Sequence, residues 1–289
     1  MPFYKYISLT RFKYISLTRF QSLIDGRIRF TQPGAFNDPF EMPAFKAAEA
    51  EAARAAGLAG LSEQTGKIMS GLSSGQIPRE AFMPPIFFWL GLGPGQKRPE
   101  PPVPSETAIE KLKRIDCEFG ILSLSTTADN LLLWAHYADQ HRGLAVEIDI
   151  THPGFNAHNG GDKRVQLAKA VTYSDQRPRI PETDEILFEH FFVKSREWAY
   201  EQEFRIVRKL ASSSEQMEAT DSPFPVHLFA LPPATIRRVI FGARAKPSDR
   251  AGLMRAVRGK LDLSDVAFAE AVLDPGRFRM EIQEIREPE

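Results

Sequence analysis

Two carboxylates one residue apart, Glu201 and Glu203 in the segment WAYEQEFRI, carry the sharpest chemical signal in this 289-residue sequence. In a β-strand successive side chains point to opposite faces. As a strand, the segment would therefore set Glu201, Glu203 and Arg205 on one side and turn Phe204 and Ile206 toward a core. Two settings fit such a charged face. One is a solvated ladder of ion pairs, worth about 0–1 kcal/mol per pair. The other is the wall of a polar cleft. Trp198 and Tyr200, just upstream, favour the cleft, because they add aromatic surface that can stack on a flat ligand and a hydroxyl that can orient it.

The segment NLLLWAHYADQH, read as a helix, places Asn130, Trp134, Tyr137 and His141 on one face by the 3.6-residue period. Trp134 and Tyr137 suit a core as well as a ligand platform. His136 and His141 are five apart, not the i, i+4 spacing that puts two imidazoles on one ion, so no metal site is expected here. Either imidazole can serve as a base or phosphate donor near neutral pH, or as a hydrogen-bonded structural group. In FNDPFE, Asn37 and Asp38 fit an Asx-type turn. They fit equally, with Glu41, a second acidic wall facing the Glu201/Glu203 strand that would hold a cation or ribose hydroxyls. The sequence contains no Gly-rich phosphate loop, nucleophile elbow or paired His-Glu-His motif, which disfavours the familiar hydrolases. The single cysteine, Cys117, excludes an internal disulfide or thiolate-rich zinc site and is expected to be a buried, inert thiol at the start of a strand.

These residues need a scaffold. At this length and 43% hydrophobic content a chain can bury roughly 75% of its unfolded surface. Lys+Arg and Asp+Glu both total 37, so no global field exists to hold a polyanion and no strong general nucleic-acid signal is present. The longest apolar run, Ile86 to Leu92, is far short of the ~20 residues of a spanning helix. Lys5, Arg11, Lys13 and Arg19 interrupt the first twenty residues, so neither a signal peptide nor a membrane role is expected, and the protein reads as soluble and cytoplasmic.

An exact tandem repeat, KYISLTRF, occupies residues 5–12 and 13–20. The second copy fits a strand entering a helix, with Leu17, Phe20, Leu23 and Ile24 at helical spacing, and the first reads as a dispensable extension. A short strand at Arg27 to Thr31 follows. Residues 43–115 look like a helical and Pro-rich insertion, whose arm at 84–104 carries IFFWL as a plug or a partner-binding patch. Beyond it the clearest unit is β-α-β: a strand Phe119 to Ser125, a helix from about Asp129 to Gln140, and the strand GLAVEIDI. A strand VQLAKAVTYS, a helix around Glu185 to Val193 and the strand EFRIVRK come next. The last third alternates the strands VHLFAL, RRVIFG, FAEAVL and RFRMEIQEI with one helix, Ser248 to Lys260. The fold class is α+β: one core over residues 1–289 with a mixed, largely antiparallel sheet, packed helices and the insertion.

Taken together, YKYISL, FTQPGAFNDPFE, ILSLSTTADNLLLWAHYADQHRGLAVEID, VTYSD, KSREWAYEQEFRI and RRVIFG resemble a bacterial family known as domain of unknown function 2971, over most of the chain outside residues 43–115. The family name implies no activity. A looser likeness is to ADP-ribosyltransferases, carried by Ser125, Thr126 and Thr127 in LSLSTT, by Glu201 and Glu203, and by Lys13 and Tyr14 (or their duplicates Lys5 and Tyr6) in a first strand. That likeness implies NAD as co-substrate, Glu203 as the catalytic carboxylate, Glu201 as activator of an acceptor that stays open, and Tyr200 or Trp198 against nicotinamide. Three functional expectations stand: an NAD-consuming transferase acting as a toxin or defence effector, a Mg²⁺-dependent phosphodiesterase using Asp38, Glu41, Glu201 and Glu203, and a non-catalytic sensor or interaction module contacting partners through Phe87 to Leu90.

Overall fold

The computed structural model describes residues 1–8, 15–38, 108–153, 168–176, 178, 188–219 and 222–286. Lys13, Tyr14, Glu41, the 84–104 arm and most of the 43–115 insertion lie outside them. The chain divides into two compact units, one of residues 1–43, 114–179 and 186–289 and the other of residues 44–113 with 180–185. Of the second, residues 108–113 are described and begin a helix, α2 (Ala108–Glu118). The sheets belong to the first.

The main sheet is mixed and mostly antiparallel, as the α+β reading requires. At its centre β1 (Phe3–Ile7) pairs along its whole length with β4 (Leu144–Ile148). Outward from β4 lie β11 (Ile236–Phe241), then β12 (Ala267–Leu273) in the parallel sense, then β13 (Met280–Glu284) antiparallel. On the other side of β1 come β3 (Phe119–Ser125), β8 (Glu203–Lys209) and the short β5 (Lys169–Ala170). A second sheet joins β2 (Arg27–Phe30), β10 (Val226–Ala230) and β9 (Glu215–Met217), and a third pairs β6 (Thr172–Ser174) with β7 (Val193–Ser195).

Alternation along the central strands builds a core on each face. Phe3 and Ile7 of β1, Leu144, Val146 and Ile148 of β4, and Val239 and Phe241 of β11 form one cluster with Phe20, Leu23 and Ile24 of α1 (Ile15–Ile24) and with Leu253 and Val257 of α4 (Pro247–Arg258). Each such side chain, fully buried, contributes about 1.5–3 kcal/mol. Tyr4, Ala145 and Ile240 turn to the opposite face, where they meet Trp134 of α3 (Leu131–Tyr137) and its C-cap residue Ala138.

Three expectations change. The first copy of the octapeptide supplies β1 at the middle of the sheet, so it is no dispensable extension; residues of the second copy open α1. Helix α3 ends at Tyr137, three residues early, because Asp139, Gln140 and His141 all take positive φ. Gly143 then lets the chain pass the end of β1, since a Cβ there would stand 2.2 Å from the Ile7 carbonyl oxygen. Cys117 is exposed, because α2 runs on to Glu118 and turns Ile115 inward instead.

The feature that makes a site is a fork. Strand β1 touches β3 at the single pair Tyr4↔Ser125. Further along, β3 is taken over by Thr31, which exchanges both backbone hydrogen bonds with Ile121 (2.9 and 2.8 Å). Between the diverging strands a wedge is left open.

Candidate functional site

The wedge holds a cavity of about 180 Å³. Lys5 and Tyr6 of β1 line it on one side, Ser123 and Ser125 of β3 on the other, and Glu201 and Glu203 close its inner end. The two acids do not lie on one strand. Glu201 ends a 3₁₀ turn over Arg196–Glu201, Gln202 adopts the left-handed conformation (φ +47°), and β8 starts at Glu203. That single left-handed residue, and not strand alternation, brings both carboxylates into the same cavity. The turn is stitched to the end of β3 and the start of α3. Ser125 Oγ donates to the Glu201 carbonyl at 2.7 Å, Thr126 Oγ1 to Gln202 Oε1 at 3.1 Å, and Asn130 Nδ2 to the Tyr200 carbonyl at 3.1 Å.

Glu201 and Glu203 are 4% and 5% exposed, which rules out the solvated ladder. They belong to a buried ionic quartet. Lys194 Nζ, on β7, donates to Glu201 Oε2 at 2.7 Å and to Glu203 Oε2 at 3.3 Å. Arg205 grips Glu203 with both prongs, Nε to Oε1 at 2.7 Å and Nη2 to Oε2 at 2.9 Å, while its Nη1 donates to the Phe191 carbonyl at 2.8 Å. Tyr137 Oη donates to Glu201 Oε1 at 2.7 Å. Such bidentate, charge-assisted contacts fix geometry as well as energy.

The environment pulls the two acids apart. Burial raises Glu201, and Lys194 offsets this only in part, so its carboxyl holds a proton more readily than a free glutamate. Burial would raise Glu203 too, but Arg205 and Lys194, with hydrogen bonds from Arg205 and Ser123, outweigh it and hold that carboxyl at about 2. A carboxylate offers about four lone-pair positions. On Glu203 they are taken by Arg205 twice, Lys194 and Ser123. On Glu201, Tyr137 and Lys194 take two, and the residue lines the cavity. Burial, followed by the charge of Glu201, also raises the Tyr137 phenol, so it stays a donor. A buried charge cluster stabilises a fold poorly, since apolar residues of the same volume often do better. What this one provides is two acids of opposed proton affinity in a cleft, an arrangement that acid–base chemistry can use.

Of the residues singled out from the sequence, Glu201, Glu203, Arg205, Tyr137, Ser125 and Asn37 line the cavity. Lys5 and Tyr6 stand there as the duplicates of Lys13 and Tyr14. Trp198 packs outside Lys194, whose Nζ is 4.8 Å from the ring centre, and continues to exposed His136 at 6.2 Å and Tyr200 at 5.9 Å. These three form an aromatic strip next to the quartet. Others are not brought in. Trp134 is fully buried, its indole N–H donating to the Ala128 carbonyl at 2.7 Å, so it is a core residue and no ligand platform. His141 lies beyond the end of α3 in the left-handed turn, so the helical projection that put it beside Tyr137 fails. Thr126 is spent on Gln202, and Asp38 is buried outside the cavity wall. Lys194 is absent from the sequence candidates; the one signal for it was a lone lysine shortly before the acidic pair.

Residues 133–206 match a family model described as a protein of unknown function (DUF2971). That interval contains Tyr137, Lys194, Glu201, Glu203 and Arg205, the ionic quartet and its tyrosine. No curated protein and no solved structure matches the chain. Among the described residues no helix is long and apolar enough to cross a membrane.

Proposed function

We propose that the fork cavity cleaves the N-glycosidic bond of NAD and passes the ADP-ribosyl group to an acceptor, in the manner of an ADP-ribosyltransferase. The observation that carries this reading is the pair of buried carboxylates with opposed proton affinities in one cavity. In the reaction the bond between ribose C1′ and nicotinamide breaks, and its electron pair leaves on the nicotinamide nitrogen. Positive charge develops on the ribose ring, and a fixed carboxylate in a dry site stabilises it. The acceptor's lone pair then bonds to C1′, and its proton passes to a base.

Hydrogen-bond occupancy supports a division of roles. Glu201, with two hydrogen-bond partners against the four contacts on Glu203 and a raised proton affinity, faces the ribose and receives the acceptor's proton. Glu203, saturated by Arg205, Lys194 and Ser123, is a positioning residue that holds Lys194 in place. This order reverses the one that the resemblance implied. Trp198 and Tyr200 offer flat surface for the nicotinamide ring.

The phosphodiesterase alternative fares worse. A divalent cation at Glu203 would have to displace Lys194 and Arg205, which already hold both of its oxygens. Chromatography of NAD incubated with the protein tests the reading. Nicotinamide should appear with ADP-ribose, free or attached to protein. Release no faster than in buffer would reject the chemistry.

A further inference from the structure

The ribbon that carries Lys194 makes a second contact with the acid pair. Tyr173, the tyrosine of VTYSD, does not line the cavity, yet its phenol oxygen accepts the Glu203 N–H at 2.8 Å. Strands β6 and β7 pair in parallel, with Tyr173 opposite Lys194. Facing residues of paired strands project to the same side. One two-stranded ribbon therefore delivers an ammonium to the carboxylates and a phenol to the backbone between them.

The phenol takes the place of a sheet hydrogen bond. Strands β5 and β8 pair Lys169 with Arg205 and Ala170 with Phe204. The same register, carried one step on, sets Val171 opposite Glu203, and the Val171 N–H does donate to the Glu203 carbonyl at 2.9 Å. In an antiparallel ladder such a pair exchanges two bonds. Here the return bond, from the Glu203 N–H, goes to Tyr173. Burial, partly offset by that N–H, pushes the phenol up to about 12, so it stays neutral at ordinary pH.

That N–H belongs to the peptide on which the geometry of the acids depends. Gln202 is left-handed at φ +47°, a conformation unfavourable for a residue with a Cβ. Its dihedrals are set by the peptide groups on either side. The one before it is held at both polar atoms, the Glu201 carbonyl by Ser125 Oγ at 2.7 Å and the Gln202 N–H by the Ala199 carbonyl at 3.2 Å. The one after it is held by the Thr126 N–H on the Gln202 carbonyl, at 3.3 Å, and by Tyr173 on the Glu203 N–H, the shorter contact. Without the phenol oxygen, one end of that second plane is released.

We infer that Tyr173 is a positioning residue: by accepting the Glu203 N–H it fixes the left-handed turn at Gln202 and so keeps both carboxylates in one cavity within reach of Lys194. The consequence for NAD cleavage rests on the proposed chemistry; the effect on the acid pair does not.

Tyr173→Phe keeps the ring and removes the oxygen. Urea unfolding of wild type, Lys194→Met, Glu201→Gln and the double variant, each with and without Tyr173→Phe, gives the coupling between Lys194 and Glu201 in both backgrounds. A hydrogen bond that only finishes a sheet edge would lower the stability of all four proteins alike and leave the coupling as it was. The positioning role predicts a coupling, expressed as a ratio of unfolding constants, at least threefold smaller without the phenol oxygen; anything less would overturn the inference. Hydrogen exchange on wild type gives a reading that survives misfolding of the variant. The Glu203 N–H, although first in β8, should exchange at least a hundredfold more slowly than an unprotected amide, and weaker protection would overturn the inference as well.

For NAD, single-turnover nicotinamide release from folded Tyr173→Phe should fall at least tenfold, with affinity within a few-fold of wild type. Reduced coupling in a protein that never releases nicotinamide would keep Tyr173 in its role and discard the proposed chemistry. Release from Tyr173→Phe at the wild-type rate would overturn the inference while leaving that chemistry in place.

Discussion

Lys194→Met keeps the length of the side chain and removes the ammonium that bridges both acids. Lys194 is 6% exposed and stands 2.7 Å from Glu201 Oε2 and 3.3 Å from Glu203 Oε2. Once it is gone, Glu203 still has Arg205 and Ser123, whereas Glu201 keeps Tyr137 alone. The uncompensated charge therefore falls on Glu201. Removing one partner from a buried pair costs about 3–5 kcal/mol. For a chain of this size that is roughly a 5–8 °C drop in Tm. The cost should depend on pH in a definite direction. Burial already raises the proton affinity of Glu201, so in the variant it can shed its charge by taking up a proton, and the deficit shrinks as pH falls from 8 toward 5. Lys194→Met/Glu201→Gln, which removes both charges, should recover at least half of the loss. Urea unfolding followed by circular dichroism, at pH 8 and pH 5 for wild type, both single variants and the double, gives the coupling energy directly. A Lys194→Met protein within about 0.5 kcal/mol of wild type at pH 8, the range of an ordinary surface change, would refute the reasoning, as would a double variant no more stable than Lys194→Met.

Three further outcomes follow from the geometry. Tyr137→Phe removes the 2.7 Å donor to Glu201, so the acid limb of the activity profile should move to higher pH and stability should fall by about 1–2 kcal/mol; an unchanged limb would detach Tyr137 from the reacting group. Tyr6→Ala loses the edge contact with Trp134 (5.2 Å) and the 2.9 Å hydrogen bond to the Thr127 carbonyl, and should cost about 2–4 kcal/mol in urea unfolding; no loss would mean that the second octapeptide copy forms the central strand instead. Asp116 accepts the Gly34 N–H at 2.7 Å, and burial, partly offset by that bond, pushes its carboxyl up to about 6 from an ordinary 3.8. Its ionised form is disfavoured in the fold, so its contribution is full below about pH 4 and is lost as pH rises through 6. Asp116→Asn should therefore be more stable than wild type at pH 8 and lose that advantage by pH 4, as thermal melts across the range would show.

Much of this site could be read from local sequence where local rules decide the structure. The strand Phe119–Ser125 appears with the bounds expected, whereas Asn130, expected on the helix face, lies before α3 as its N-cap and accepts from the Leu132 and Leu133 N–H groups. The acidic pair lines the cavity. What could not be read depends on distant pairing or on one residue's backbone. Two identical octapeptides cannot say which of them becomes the central strand, because that choice is made by pairing with β4, far along the chain. The fork itself arises because Thr31 replaces β1 as the partner of Ile121, a contact with no local signature. The left-handed Gln202 is not a glycine, so nothing marked the break between Glu201 and Glu203. Lys194 reaches the acids only because β7 pairs with β6 and the 3₁₀ turn folds back. His141 was placed by extending a helix past the point where three positive-φ residues end it.

In the proposed reaction Glu201 is the reacting group and Glu203 its support. Single-turnover nicotinamide release from NAD, measured alongside NAD affinity on folded Glu201→Gln, tests this most directly. Release should fall by about 10²–10⁴-fold, the usual contribution of a general base, while NAD affinity stays within a few-fold of wild type. Release from Glu201→Gln at the wild-type rate would contradict it.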